Sequence, residues 1–96
     1  MSEAVIVVDE RDNVATALRA IEAGESLRIG VGGANVDITA LEPVAFGHKL
    51  ALSDLEKGSY IVKYGEVMGV ATKRIAKGEH AHVHNVEGPE PGRAER

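Results

Sequence analysis

The chain has no cysteine, which excludes disulfides, thiolate catalysis and cysteine-ligated zinc or iron–sulfur centres within it. A metal held by these residues would need His, Asp or Glu. Aromatic volume is also scarce, with two Tyr and one Phe, so Val, Ile, Leu and Ala must fill the core. That bias toward β-branched residues favours strands. No stretch approaches the roughly 20 apolar residues of a membrane-spanning helix. Met1-Ser2-Glu3 lacks the basic and apolar regions of a signal peptide, and the expectation is a cytoplasmic protein with no membrane partner. Lys and Arg do not cluster and the formal net charge is −4, which argues against nucleic acid as a partner.

What is present fits one small domain. A chain of 96 residues, 44% of them hydrophobic, builds a single core with little room for a deep pocket of its own. From Gly88 onward the composition is Gly, Pro, Glu, Arg and Ala, which cannot offset the entropy of ordering. The expected organisation is a domain over 1–87 and a mobile tail over 88–96.

Along the domain, Ala4 to Val8 reads as a short buried strand. Asp12 is placed to cap a helix in which Val14, Leu18 and Ile21 recur at helical spacing and which Gly24 would end. Leu27, Ile29 and Val31 alternate before Gly32-Gly33, and Val36 and Ile38 alternate after it, the pattern of a hairpin. Pro43 restricts Glu42 and interrupts regular pairing. A phrase of an aliphatic residue, two others and Gly, leading into a strand-like run, occurs at Ile21–Gly24, Leu55–Gly58 and Ile75–Gly78. Ser53 and Glu56 have capping-box spacing, which predicts one helical turn over Ser53 to Lys57. The fold class read from these signals is mostly β with one short α-helix, an α+β domain.

Three segments could carry chemistry. In Glu79-His80-Ala81-His82-Val83-His84-Asn85, strand alternation would put three imidazoles on one face, where they could converge on a divalent metal. The plainer reading is a solvated strand face. Gly47-His48-Lys49 sets a titratable base and a fixed cation beside a residue that lets a ligand approach the backbone. Lys63-Tyr64-Gly65-Glu66 gathers an ammonium, a phenol and a carboxylate at a turn. Taken alone, each of these last two segments reads more readily as an ordinary polar turn.

Taken together they are more specific. Asp12-Asn13-Val14-Ala15, Gly47-His48-Lys49, Lys63-Tyr64-Gly65, Met68-Gly69 and His82-Val83-His84-Asn85, in this order and spacing, resemble the N-terminal module of the altronate/galactarate dehydratase family. The resemblance runs from about Asp12 to Asn85 and implies a SAF-type β-clip fold. It also implies a hydro-lyase that removes water from a sugar acid to give a 2-keto-3-deoxy acid, with Fe(II), or alternatively Mn(II), as cofactor. A close variant is the alpha subunit of sulfolactate sulfo-lyase, which eliminates sulfite.

By that resemblance His48, His84 and Lys63 are the expected catalytic residues. Lys49, Tyr64 and Asn85 are expected to bind substrate, and His82 and His84 to hold metal. The family's much larger catalytic region would come from a separate large subunit, and association into a homo-oligomer stays open. The competing expectation, from a different class, is a module that binds a sugar acid or a protein without chemistry.

Overall fold

The computed structural model describes residues 4–88. Among them are nine strands and no helix: β1 (Val5–Ile6), β2 (Val14–Ala17), β3 (Ser26–Val31), β4 (Ala34–Thr39), β5 (Lys49–Ala51), β6 (Tyr60–Lys63), β7 (Glu66–Ala71), β8 (His80–Ala81) and β9 (Val86–Glu87). They form a four-stranded sheet in the order β1-β2-β5-β8, a hairpin β3-β4 and a three-stranded sheet β6-β7-β9, with every pairing antiparallel. The expected tail falls, apart from Gly88, outside the described residues.

The middle of the four-stranded sheet is buried on both faces. Ala15, Ala17 and Leu50 point into one hydrophobic cluster, with Ile21, Leu27, Ile29, Ile38 and Val44. Val14, Ala51 and Ala81 point into a second, with Leu55, Ile61, Ala71 and Ile75. This is the period of two expected of a strand, applied to a strand with no solvent face.

Here the structure corrects the expected helix. Val14-Ala15-Thr16-Ala17 is the central strand β2, buried along its whole length. The helical spacing of Val14, Leu18 and Ile21 is a coincidence, because Leu18 faces outward on the bend that follows the strand. Alanine, a strong helix former in isolation, is used here because two packed layers leave room only for small side chains. Ser53–Lys57 is likewise not a helical turn: Leu55 makes an isolated bridge with Ile75, and the next residues form a β-turn.

The short phrase that recurs in the sequence is the building unit of the fold, and it occurs four times. The extra copy is Val44-Ala45-Phe46-Gly47. Each Gly has positive φ, at +86, +83, +91 and +86° for Gly24, Gly47, Gly58 and Gly78. Each also sits at the third position of a turn closed by a backbone bond, Glu25 to Glu22, His48 to Ala45, Ser59 to Glu56 and Glu79 to Ala76. In every copy an alanine precedes the aliphatic residue by four positions, as Ala17, Ala40, Ala51 and Ala71.

The copies bond reciprocally. The N–H of Gly24 donates to Ala40 and that of Gly47 to Ala17, while Gly58 donates to Ala71 and Gly78 to Ala51. Ile21 bridges Val44, as Leu55 bridges Ile75. The domain is therefore two interlocked halves, each with its own apolar cluster.

Asp12 and Asn13 connect the halves. One carboxylate oxygen of Asp12 accepts from Gly65 N–H and the other from Val8 and Asp9 N–H. Asn13 accepts from Val62 N–H and donates to the Tyr60 carbonyl. The expected helix cap is thus a buried clamp on the β6–β7 turn.

Candidate functional site

Two of the four turn units deliver the titratable groups. The unit ending at Gly47 feeds His48 and Lys49 into β5, and the unit ending at Gly78 feeds His80 into β8. Because β5 pairs with β8, with Leu50 opposite His80, residues 32 apart in the sequence become neighbours. His48 Nδ1 lies 2.9 Å from His80 Nε2. The ring of His82 stacks on that of His48, with centroids 3.8 Å apart and planes 15° apart.

His82 reaches this position from a turn. β8 ends at Ala81, and residues 82–85 form a tight loop closed by bonds from Asn85 and Val86 N–H to the His82 carbonyl. Asn85 is fully buried. Its side-chain oxygen accepts from His82 N–H and its side-chain nitrogen donates to the His80 carbonyl, both at 2.9 Å. Its amide is therefore committed to holding the two histidine backbones.

The imidazoles suit a cation. The ligand nitrogens of His48, His80 and His82 lie within 4.8 Å of one another. Two nitrogens bound at right angles to one ion, at roughly 2.0–2.1 Å each, stand about 3 Å apart. The His48–His80 separation already matches that spacing. Burial, followed by the neighbouring imidazoles and Lys49, pushes His80 below the ordinary histidine pKa; burial, His48 and Lys49 do the same to His82. Both shifts favour the neutral ring, the form that offers a lone pair.

The remaining expected residues divide. Lys49 is half-buried on β5, and burial together with the charge of Lys63 lowers its pKa. Two ammonium groups that disfavour each other would be relieved by an anion between them. The Lys63 ammonium also lies 4.8 Å from the centre of the Tyr64 ring, and Tyr64 is at the β6–β7 turn with φ of 57°. His84 stands outside the three-imidazole group, exposed, with its ring 5.2 Å from that of His80.

Two residues of the cluster are absent from the expected site. His80 is its centre, and the alternation of histidines had already marked it as a candidate. Glu42, whose carboxylate lies 3.8 Å from His80 Nδ1, belongs to no local motif and comes from the segment before Val44.

His48, His80 and His82 are each half-buried. A concavity of about 460 Å³ between β1 and β3 and another of about 510 Å³ beside Asp9, Arg11 and Gly32 are lined by none of these histidines. Next to cluster residues in the sequence are exposed apolar side chains: Leu41 beside Glu42 (56% exposed), Phe46 two residues before His48 (70%) and Val83 between His82 and His84 (81%).

Residues 3–89 match the family described as the altronate/galactarate dehydratase SAF domain. The chain is 40% identical over 82 residues to the altronate dehydratase of Bacillus subtilis (strain 168), covering 85% of this chain and 16% of that protein. It is 40% identical over 80 residues to the altronate dehydratase of Escherichia coli (strain K12), covering 83% and 15%. These matches span about one sixth of the length of those relatives. It is also 33% identical over 90 residues to the (2R)-sulfolactate sulfo-lyase subunit alpha of Chromohalobacter salexigens, covering 91% of this chain and 96% of that protein.

Proposed function

Because the chain belongs to the altronate/galactarate dehydratase SAF-domain family, we propose that it is the small subunit of a hydro-lyase. That enzyme dehydrates an altronate-like sugar acid to a 2-keto-3-deoxy acid together with a separate large catalytic subunit. The observation that carries this reading is the gathering of half-buried His48, His80 and His82 beside Lys49, with exposed apolar residues next to them in the sequence. A partner that covers Leu41, Phe46 and Val83 would complete the site. The SAF fold is read as a β-clip on the strength of its interlocked halves.

Removing water from a sugar acid takes a proton from the carbon beside the carboxylate and expels the neighbouring hydroxyl as water. The resulting enol then tautomerises to the keto acid. The obstacle is the negative charge that develops on the carboxylate. Lys49 and Lys63 bind that group, and His48, His80 and His82 hold a divalent cation, Fe(II) or alternatively Mn(II). When bound, the ion supplies Lewis acidity. Tyr64 orients a substrate hydroxyl beside Lys63, and Asn85 acts by fixing the histidine backbones.

The second reading, alpha subunit of a sulfolactate sulfo-lyase, is supported by the match over nearly the whole length of that relative. It differs only in the group expelled. The test is to co-express the chain with a large catalytic polypeptide of the family, purify anaerobically with ferrous iron, and assay altronate, galactarate and sulfolactate for 2-keto product and sulfite. Turnover that needs both chains and falls with His48→Ala supports the reading, and the products separate its two forms. A folded chain that neither associates nor supports turnover, yet binds a sugar acid, would leave a binding module instead.

A further inference from the structure

His80 turns its two ring nitrogens toward different groups. Nε2 faces His48 in the three-imidazole site, 2.9 Å away, and Nδ1 faces the Glu42 carboxylate at 3.8 Å. On the Glu42 side, ligand atoms of Glu42, His80 and His84 again lie within 4.8 Å of one another. We propose that Glu42, His80 and His84 form a second divalent-cation site, back to back with the first and joined to it through the His80 ring.

Three features support two sites over one. One imidazole cannot present the same lone pair in two directions, so an ion at each pole uses a different nitrogen of His80. The ligand sets also differ in character: three neutral nitrogens on one side, and two nitrogens with a carboxylate on the other, which suits a harder, more oxygen-seeking ion such as Mn(II). Finally, Glu42 and His84 come from separate segments and both reach solvent, so an ion between them and His80 would keep open positions for water or for a substrate oxygen.

Filling both poles leaves His80 without an N–H. Its ring proton passes to solvent as the second ion binds, and the imidazolate charge offsets part of the added positive charge. The proposal rests on the three-imidazole site only through this shared ring, so the two can fail separately.

The test is calorimetric titration of the chelator-stripped chain with cobaltous ion, read also by its visible absorption and by proton release under weak buffering. The expected result is two ions per chain with a proton released in the second step. Glu42→Gln and His84→Ala should each leave one ion bound with unchanged affinity, and His48→Ala should leave the other. Glu42 and His84 are at the surface, so these variants keep the fold, which circular dichroism verifies. A single ion per chain, unaffected by Glu42→Gln and His84→Ala, overturns the second site and leaves the first standing. A single ion whose affinity falls about 10- to 100-fold in Glu42→Gln also overturns it, because the carboxylate would then be positioning His80 rather than binding metal. No binding at all overturns both.

Discussion

The side-chain amide of Asn85 donates to the carbonyl of His80 from a position with no solvent contact, while its oxygen takes the N–H of His82. One buried side chain therefore sets the spacing of two imidazole-bearing residues. Asn85→Ala removes both bonds and leaves two backbone groups to find other partners. The expected loss is about 1–3 kcal/mol in denaturant unfolding. Cobaltous-ion affinity should fall as well, because the 82–85 loop no longer holds His82 over His48. A variant as stable as the parent, with unchanged ion binding, would contradict this scaffold role.

Gly24 and Gly78 occupy equivalent turns with the same φ but different surroundings. A Cβ on Gly24 meets nothing within 4 Å, whereas one on Gly78 would lie 2.2 Å from the Thr39 carbonyl oxygen. Gly24→Ala should cost only the left-handed conformation, about 1–2 kcal/mol. Gly78→Ala must also displace backbone, and a loss of roughly 3 kcal/mol or more is expected. Thermal melts of the two variants side by side check this, and equal losses would refute it.

Tyr64 and Gly65 both have positive φ, the geometry of a two-residue hairpin turn that prefers Asn-Gly. Tyr64→Asn is expected to raise stability by roughly 0.5–1 kcal/mol. If Tyr64 orients substrate, turnover of the assembled enzyme should fall while the melting temperature rises. Stability and activity moving together would remove Tyr64 from the site.

Acid should weaken the fold through Asp9 and Glu25. The side-chain hydrogen bond from Arg11 holds the Asp9 carboxyl well below its ordinary 3.8, and Arg19 holds Glu25 below 4.5. Depressed carboxylate pKa values mean that this stabilisation is fully present above those ordinary values and is lost as pH falls through the folded-state values. Melts between about pH 6 and pH 2 should show the decline, smaller at high salt because both pairs are solvent-facing. A melting temperature flat across that window would show the pairs to be inert.

If a large subunit covers the histidines, Phe46 and Val83 lie at the contact. Phe46→Asp or Val83→Asp should weaken association about tenfold or more, whereas Val8→Asp, at the loop clamped by Asp12, should not. Pull-down titration against the large subunit reads the difference. Equal effects at all three positions would place the contact elsewhere.

Much of the fold was legible where the pattern was local. The alternation around Gly32-Gly33 gave the β3–β4 hairpin, and three of the four turn units were visible as spaced glycines. The copy at Val44 escaped notice because Pro43 reads as an interruption, yet the proline follows the bend at Leu41 and Glu42 and leaves the Val44 N–H free to bond Ile21. The helix expected over Val14 to Ile21 failed because burial on two faces erases the alternation that identifies a strand.

The candidate site shows the same division. His48 and His82 were named from motif, and the structure brings them together. His80 emerged as the centre only through the pairing of β5 with β8, and Glu42 through the reciprocal bonding of turn units, relations that no local spacing encodes. Asn85 kept its place in the motif but changed its part, from a substrate ligand to a support.

His48 belongs to the first interlocked half and His80 to the second, so their contact exists only while the halves are docked. The imidazoles are thus a built-in reporter of assembly. In a nuclear magnetic resonance spectrum, docked rings would give dispersed signals. A form in which the halves parted would lose the β5–β8 pairing and show them collapse toward the shifts of free histidine.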